Sequence, residues 1–255
     1  MNAIENLHPS ARAGVVTSLS PVPRPTHSAS SACGLCDASI LCQIAGLGAG
    51  GLVSALDNHI GIRAVRAGEA IFRAGDVLRS LYIPRCGICK ILRVDTEGRQ
   101  QITAFKIAGE CFGTDGIASG KHQTEGIALL DMQICVLPFL RAEAVADALP
   151  EVHRGMERLL SRETLDRDAL LMVIANRNAE QRVAAFLLDM GARYGERTAN
   201  PAVFPLCVSR EDIGAYLGLT LETVSRVFSR LRQRRLIEWE GRVIRLLDMP
   251  QLSRL

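Results

Sequence analysis

At Pro150 the hydrophobic period of this 255-residue chain changes, and that change limits the folds open to it. Before it, from about Ile60 to Leu140, short apolar runs alternate with turns at Gly68, Gly75, Gly87, Gly98, Gly109 and Gly113. That spacing predicts a small antiparallel barrel or sandwich. After it, apolar residues recur at helical spacing through about Arg177, with Pro150 at a first-turn position that suits its missing N–H. Such a helix is long for a globular protein.

Reading that helix in heptads gives two registers. One runs Val152, Met156, Leu159, Glu163, Asp166, Leu170, Val173; the other Leu160, Thr164, Arg167, Leu171, Ile174. Both are apolar at their ends and polar in the middle. A parallel twofold pair would oppose like charges around residues 163–167 and form a marginal seam, for which Met156, Leu160, Thr164, Arg167, Leu171 and Ile174 are the candidate residues. The alternative is a helix packed only on its own β domain.

A further helix is expected at about Ala179 to Tyr194, followed by the turn-rich stretch GERTANPAVFP. Ser209 with Asp212 three residues on then makes a capping-box-like helix start. Ile213, Tyr216 and Leu217 form one apolar face, Gly218-Leu219-Thr220 a turn, and a second amphipathic helix buries Val224, Val227, Phe228 and Leu231. This is a helix-turn-helix. The chain's net charge of +3 is too small to indicate a nucleic-acid partner, yet residues 226–235 hold five arginines and no acid. Arginine bonds guanine bidentately, Glu accepts from cytosine and Ser bonds a base or phosphate. Glu222, Ser225 and Arg226 stand on the exposed side of that helix, and the later arginines are placed to hold phosphates. The run LIEWEGRVIRL, two short strands around Gly241, completes a winged helix-turn-helix.

Cys33, Cys36 and Cys42 lie within ten residues at C-x2-C-x5-C spacing, dense enough for one metal centre and one ligand short. The fourth could be Cys135, Cys86, Cys89, Cys111 or Cys207, and spacing alone leaves zinc and an Fe–S cluster both open. Cys86 and Cys89 fall in an apparent strand, IPRCGICKIL, where a minor metal or disulfide role stays open. Residues 1–32 are Ser-, Pro- and Ala-rich and predict a disordered tail. The first twenty residues carry Glu5 and lack a basic start before an apolar run, which points to the cytoplasm. Ala38 to Leu56 is uncharged, but its four glycines and polar residues favour a soluble turn and helix over a membrane span.

These features resemble the FNR branch of the CRP/FNR family of bacterial transcription regulators. The resemblance rests on GEAIFRAGD at 68–76, LETVSR at 221–226, and C-x2-C-x5-C followed after 92 intervening residues by Cys135. It implies an α+β chain: an N-terminal antiparallel β-roll sensor domain of the cyclic-nucleotide-binding type, a long dimerisation helix and a C-terminal winged helix-turn-helix. The boundaries are then 1–32 tail, 33–148 cluster segment and β-roll, 149–177 dimerisation helix and 178–255 DNA-binding domain. It further implies a [4Fe–4S] cluster on Cys33, Cys36, Cys42 and Cys135, which promotes dimerisation and is degraded by oxygen. The partners implied are a second copy of the chain, a palindromic duplex similar to TTGAT-N4-ATCAA, and RNA polymerase, the last near Asp95–Arg99. Ser209, Arg210, Thr220, Thr223 and Arg230 would join Glu222, Ser225 and Arg226 at the DNA. Cyclic-nucleotide-binding relatives use a Gly-Glu site and an Arg-Ser/Thr pair for the cyclic phosphate; here CFGTDGIASGKHQTEG lacks that arginine and adds Glu125, so no cyclic nucleotide is expected. The competing readings are a regulator using the cysteines for zinc or thiol-redox sensing, or a redox enzyme or electron carrier. The latter finds no G-x-G-x-x-G loop and no P-loop lysine, since Lys90, Lys106 and Lys121 are the chain's only lysines.

Overall fold

A computed structural model describes residues 61–139 and 150–255. The first stretch forms β1 (Gly61–Val65), β2 (Ala70–Phe72), β3 (Ser80–Cys86), β4 (Ile88–Val94), β5 (Gln100–Ile107), β6 (Glu125–Ala128) and β7 (Met132–Pro138). They build two antiparallel sheets, ordered β1-β7-β3 and β2-β6-β4-β5, which face each other over Val65, Phe72, Tyr82, Cys89, Phe112 and Ile134. These are the antiparallel sheets that the glycine spacing predicts and the β-roll that the resemblance implies, and all six of those glycines have positive φ. At Gly87 (φ 88°) the turn is doubly restricted, because a Cβ would also come within 2.7 Å of Met132 Cβ.

Gly87 corrects one expectation. The run IPRCGICKIL is two strands around a tight turn, so Cys86 ends β3 half-buried while Cys89 lies in the roll's core. Burial pushes the Cys89 thiol up to about 12, which suits a small apolar filler rather than a thiolate ligand.

The second stretch forms α1 (Pro150–Asn176), α2 (Ala179–Thr198), β8 (Val203–Pro205), α3 (Arg210–Leu217), α4 (Leu221–Gln233), β9 (Ile237–Glu240), β10 (Val243–Leu246) and α5 (Met249–Ser253). Helix α2 runs four residues past its expected end. A capping box at Asn178 and Gln181 starts it, and the chain turns only at Ala199, with φ 56°. Gly195 permits this, since a Cβ there would sit 2.8 Å from Pro201 Cβ as the chain doubles back.

Strands β4 and β5 are buried on both faces. Cys89 and Ile91 enter the roll; Ile88, Leu92, Ile102, Phe105 and Ile107 share a second core with Val183, Phe186, Leu187, Ile213, Leu217, Val224, Phe228 and Leu231. The helix-turn-helix therefore docks on the outer face of β4 and β5 through one continuous core. Two-sided burial also explains why β4 carries Ile88, Cys89, Ile91 and Leu92 almost in succession rather than in strict alternation.

The two heptad registers separate here. Leu159 is buried, Leu170 packs on the second core, and Glu163 turns inward to accept from Lys106 Nζ at 3.0 Å and from the Thr114 hydroxyl. Leu160, Thr164, Arg167 and Leu171 are exposed, and Met156 and Ile174 half-buried. Of the charges at 163–167, Glu163 is paired inside its own chain with Lys106, and Arg167 Nη2 lies 3.8 Å from it.

Candidate nucleic-acid interface

Each helix of the motif is started by a hydroxyl. Ser209 Oγ accepts from Asp212 N at 2.9 Å, and Thr220 Oγ1 accepts from Thr223 N at 3.2 Å. Gly218, at φ 65°, ends α3 and allows the turn. Val224, Val227, Phe228 and Leu231 then anchor α4, so its first two turns present Glu222, Ser225 and Arg226 to solvent. Arg226 Nη2 donates to Thr223 Oγ1 at 3.3 Å, which holds the guanidinium beside the helix start. Glu222 is kept below the ordinary carboxyl range by its own backbone N–H and the Thr220 hydroxyl. These residues, with Thr220 and Thr223, form one contiguous polar surface.

The remaining basic residues are deployed differently. Arg230 Nη1 reaches Glu180 Oε2 at 3.2 Å and Arg234 bonds the other oxygen, so both clasp α4 to α2. Arg232 lies 4.7 Å from the Trp239 ring centroid on the wing. Arg210 stacks 3.2 Å from the Phe228 centroid, and its desolvation lowers its pKa to about 10. Thus Arg210 supports the recognition helix from beneath, apart from the exposed surface. The wing itself is the antiparallel sheet β8-β10-β9, turned at Gly241 (φ 56°).

On the β-roll Cys135 sits half-buried on β7, paired in register with Ile62 and Ile83. Cys33, Cys36 and Cys42 lie outside the described residues. Among the described residues no three His, Cys, Asp or Glu side chains come together as a metal site. The donor set fits an Fe–S cluster only if a thiolate on the roll's surface joins the three N-terminal ones. The half-buried Cys135 and Cys86 both meet that requirement, whereas the fully buried Cys89 and Cys111 do not. Cys207 is half-buried, its thiol raised by burial, with Arg242 hydrogen-bonded to it.

The loop between β5 and β6 is filled by its own side chains. The Asp115 carboxylate accepts from Gln123 N at 2.7 Å, Thr124 N at 2.9 Å and Thr124 Oγ1 at 2.8 Å. It also lies 3.0 Å from Nδ1 of the buried His122, whose ring stacks on Phe72. Glu110 is held by Arg193 of α2. Sequence reading missed these pairs and also those of two lysines, for which a signal was present: Lys90 and Lys106 stand in strands among apolar residues, where a charge requires a partner. Lys90 finds Asp212 of α3 at 2.7 Å.

Comparison with known proteins agrees with this architecture. Residues 62–147 match the cyclic nucleotide-binding domain family and residues 181–255 the Crp-like helix-turn-helix domain family. The chain is 36% identical over 191 residues to electron transport regulator A of Shewanella oneidensis, covering 75% of this chain and 76% of that one. It is 35% identical over 201 residues to the fumarate and nitrate reduction regulatory protein of Escherichia coli, covering 78% and 80% respectively. Among solved structures it is similar to FixK2 from Bradyrhizobium japonicum, with TM-score 0.70, 30% identity, and 78% of this chain and 98% of that one covered. No helix among the described residues is long and apolar enough to cross a membrane. The relatives are regulators rather than enzymes, and this chain belongs to the CRP/FNR family of transcription regulators.

Proposed function

We propose that the protein is an oxygen-responsive, cytoplasmic transcription regulator that binds a TTGAT-N4-ATCAA-like palindrome as a homodimer. The observation that carries this reading is the exposed set Glu222, Ser225 and Arg226 on a firmly anchored α4, in a chain related to a fumarate and nitrate reduction regulator. Arg226 bonds guanine, Glu222 accepts from a cytosine amine, and Ser225, Thr220 and Thr223 bond bases or phosphates. Ser209 and the well-exposed Arg230 hold the phosphate backbone.

Cys33, Cys36, Cys42 and Cys135 would hold the [4Fe–4S] cluster, which supplies an oxygen-labile cross-link between the N-terminal segment and the roll. Met156, Leu160, Thr164, Arg167, Leu171 and Ile174 form the seam between two long helices, which sets the recognition helices about one DNA turn apart. The exposed turn Asp95–Arg99, braced by Arg99 on Asp95 at 2.7 Å, is the surface offered to RNA polymerase. No cyclic nucleotide is expected as a ligand, since the phosphate-pairing arginine is missing from the loop at 111–126 and Glu125 adds a negative charge there.

Fluorescence anisotropy with the palindromic duplex, under nitrogen and again after brief air exposure, tests the reading. Tight binding that weakens in air, lost in Cys135→Ala and retained in Cys207→Ala, is expected. Equal iron content in both variants would overturn the ligand assignment, and air-insensitive binding would overturn oxygen response.

A further inference from the structure

The sensor and the DNA-binding domain are joined by a charged pair that neither DNA contact nor cofactor binding calls for. Arg193 of α2 donates from Nε to Glu110 Oε1 at 2.9 Å and from Nη2 to Glu110 Oε2 at 2.6 Å, the two parallel bonds of a guanidinium–carboxylate fork. The same Nη2 donates to the Phe105 carbonyl of β5 at 2.6 Å, and Nη1 to Asp189 at 3.1 Å. Glu110 Oε2 also accepts from Ile107 N at 2.9 Å. The two side chains are only 22% and 13% exposed. Burial alone would raise the Glu110 pKa, but Arg193 outweighs it and the carboxyl stays below its ordinary value.

Around the fork the two domains meet in matched contacts. The Phe105, Phe186 and Tyr216 rings cluster at 5.2 to 6.0 Å, Lys90 binds Asp212, and Gln101 donates to the Ala215 carbonyl. The residue after Phe105 is Lys106, which bonds Glu163 on the long helix. Consecutive residues of β5 thus touch the DNA-binding domain and the long helix. A buried ion pair adds little net stability over a well-packed apolar pair, but a fork fixes direction as well as distance.

We propose that Glu110 and Arg193 are positioning residues for DNA recognition: they set the orientation of the recognition helix relative to the long helix, and hence operator affinity, without touching DNA. The inference rests on the DNA-binding reading of α4. Full-length, anaerobically purified wild type, Glu110→Gln, Arg193→Lys and Arg193→Gln are compared for dimer mass, operator affinity across a salt series, and the distance distribution between spin labels introduced through unnatural amino acids at Arg99 and Gln233.

Each variant is expected to remain dimeric, to bind the operator roughly tenfold more weakly, to keep the wild-type salt slope because no phosphate contact is lost, and to broaden the distance distribution. Arg193→Lys, which keeps the charge and loses the fork, behaves like Arg193→Gln. Wild-type affinity with a wild-type distribution in Glu110→Gln overturns the proposal, as does tighter binding. Should Arg193→Gln fail to fold, the near-isosteric Glu110→Gln carries the test. If the wild type itself binds no duplex, the DNA reading fails, and the label distances alone still decide whether the pair orients the domain.

Discussion

The long helix and the recognition helix each have one face committed inside the chain and one left bare, and they divide their residues in opposite ways. Helix α1 turns the charge of Glu163 inward to Lys106 and leaves Leu160, Leu165, Leu171 and Met172 outside, the last three more than 60% exposed. Helix α4 turns Val224, Val227, Phe228 and Leu231 inward and leaves Glu222, Ser225 and Arg226 outside. A bare apolar face gains most from a second apolar surface and a bare polar face from a polar, charged polymer. The contrast teaches that what a helix of this chain binds follows from what its inner face has already satisfied.

The comparison can be broken first at the outer face of α1. Replacing Leu160 and Leu171 together by Glu is expected to leave a folded monomer whose palindrome affinity falls on the order of a hundredfold or more, because one half-site contact no longer assists the other. Sedimentation and anisotropy on the same sample check this; a dimeric variant would refute the seam. On the inner face, Glu163→Ala leaves Lys106 buried without its carboxylate and should cost about 3 kcal/mol in denaturant unfolding. Lys106→Met combined with Glu163→Leu should restore most of that loss, which separates a pairing requirement from a packing one.

The recognition helix sharpens the comparison at smaller scale. Arg226→Ala should lose about 1–3 kcal/mol and relax preference at a single base pair, measured over a panel of operator variants. Arg234→Gln loosens the clasp on Glu180 and should cost about 0.5 kcal/mol of stability, as partly exposed pairs do, with base preference unchanged. If Arg234→Gln altered specificity as Arg226→Ala does, the division between reading and clasping arginines would be wrong.

Much of the fold was legible because its signals are local. The six turn glycines, Pro150, the hydroxyl caps at Ser209 and Thr220 and the period of α4 each mark an element that the structure contains. What was illegible depends on contacts distant in sequence. Nothing beside Glu110 announces Arg193, 83 residues away, and nothing in the arginine run says that Arg230 and Arg234 are held by Glu180. Heptad arithmetic likewise separated Glu163 from Thr164 without showing what Glu163 binds, because it sees spacing and not the Lys106 waiting on β5. The docking of the helix-turn-helix on the β-roll was hidden for the same reason: two-sided burial of β4 and β5 requires knowing what covers the second face.

The central claim is that oxygen response and DNA binding are linked through the N-terminal thiols and Cys135. Its most direct test is iron and acid-labile sulfide per chain, with operator affinity on the same samples, for protein purified without oxygen and again after brief air exposure. The account predicts about four iron and four sulfide per chain, lost in air in step with operator affinity. Colourless protein that holds zinc or no metal and binds the operator equally well in air would contradict it.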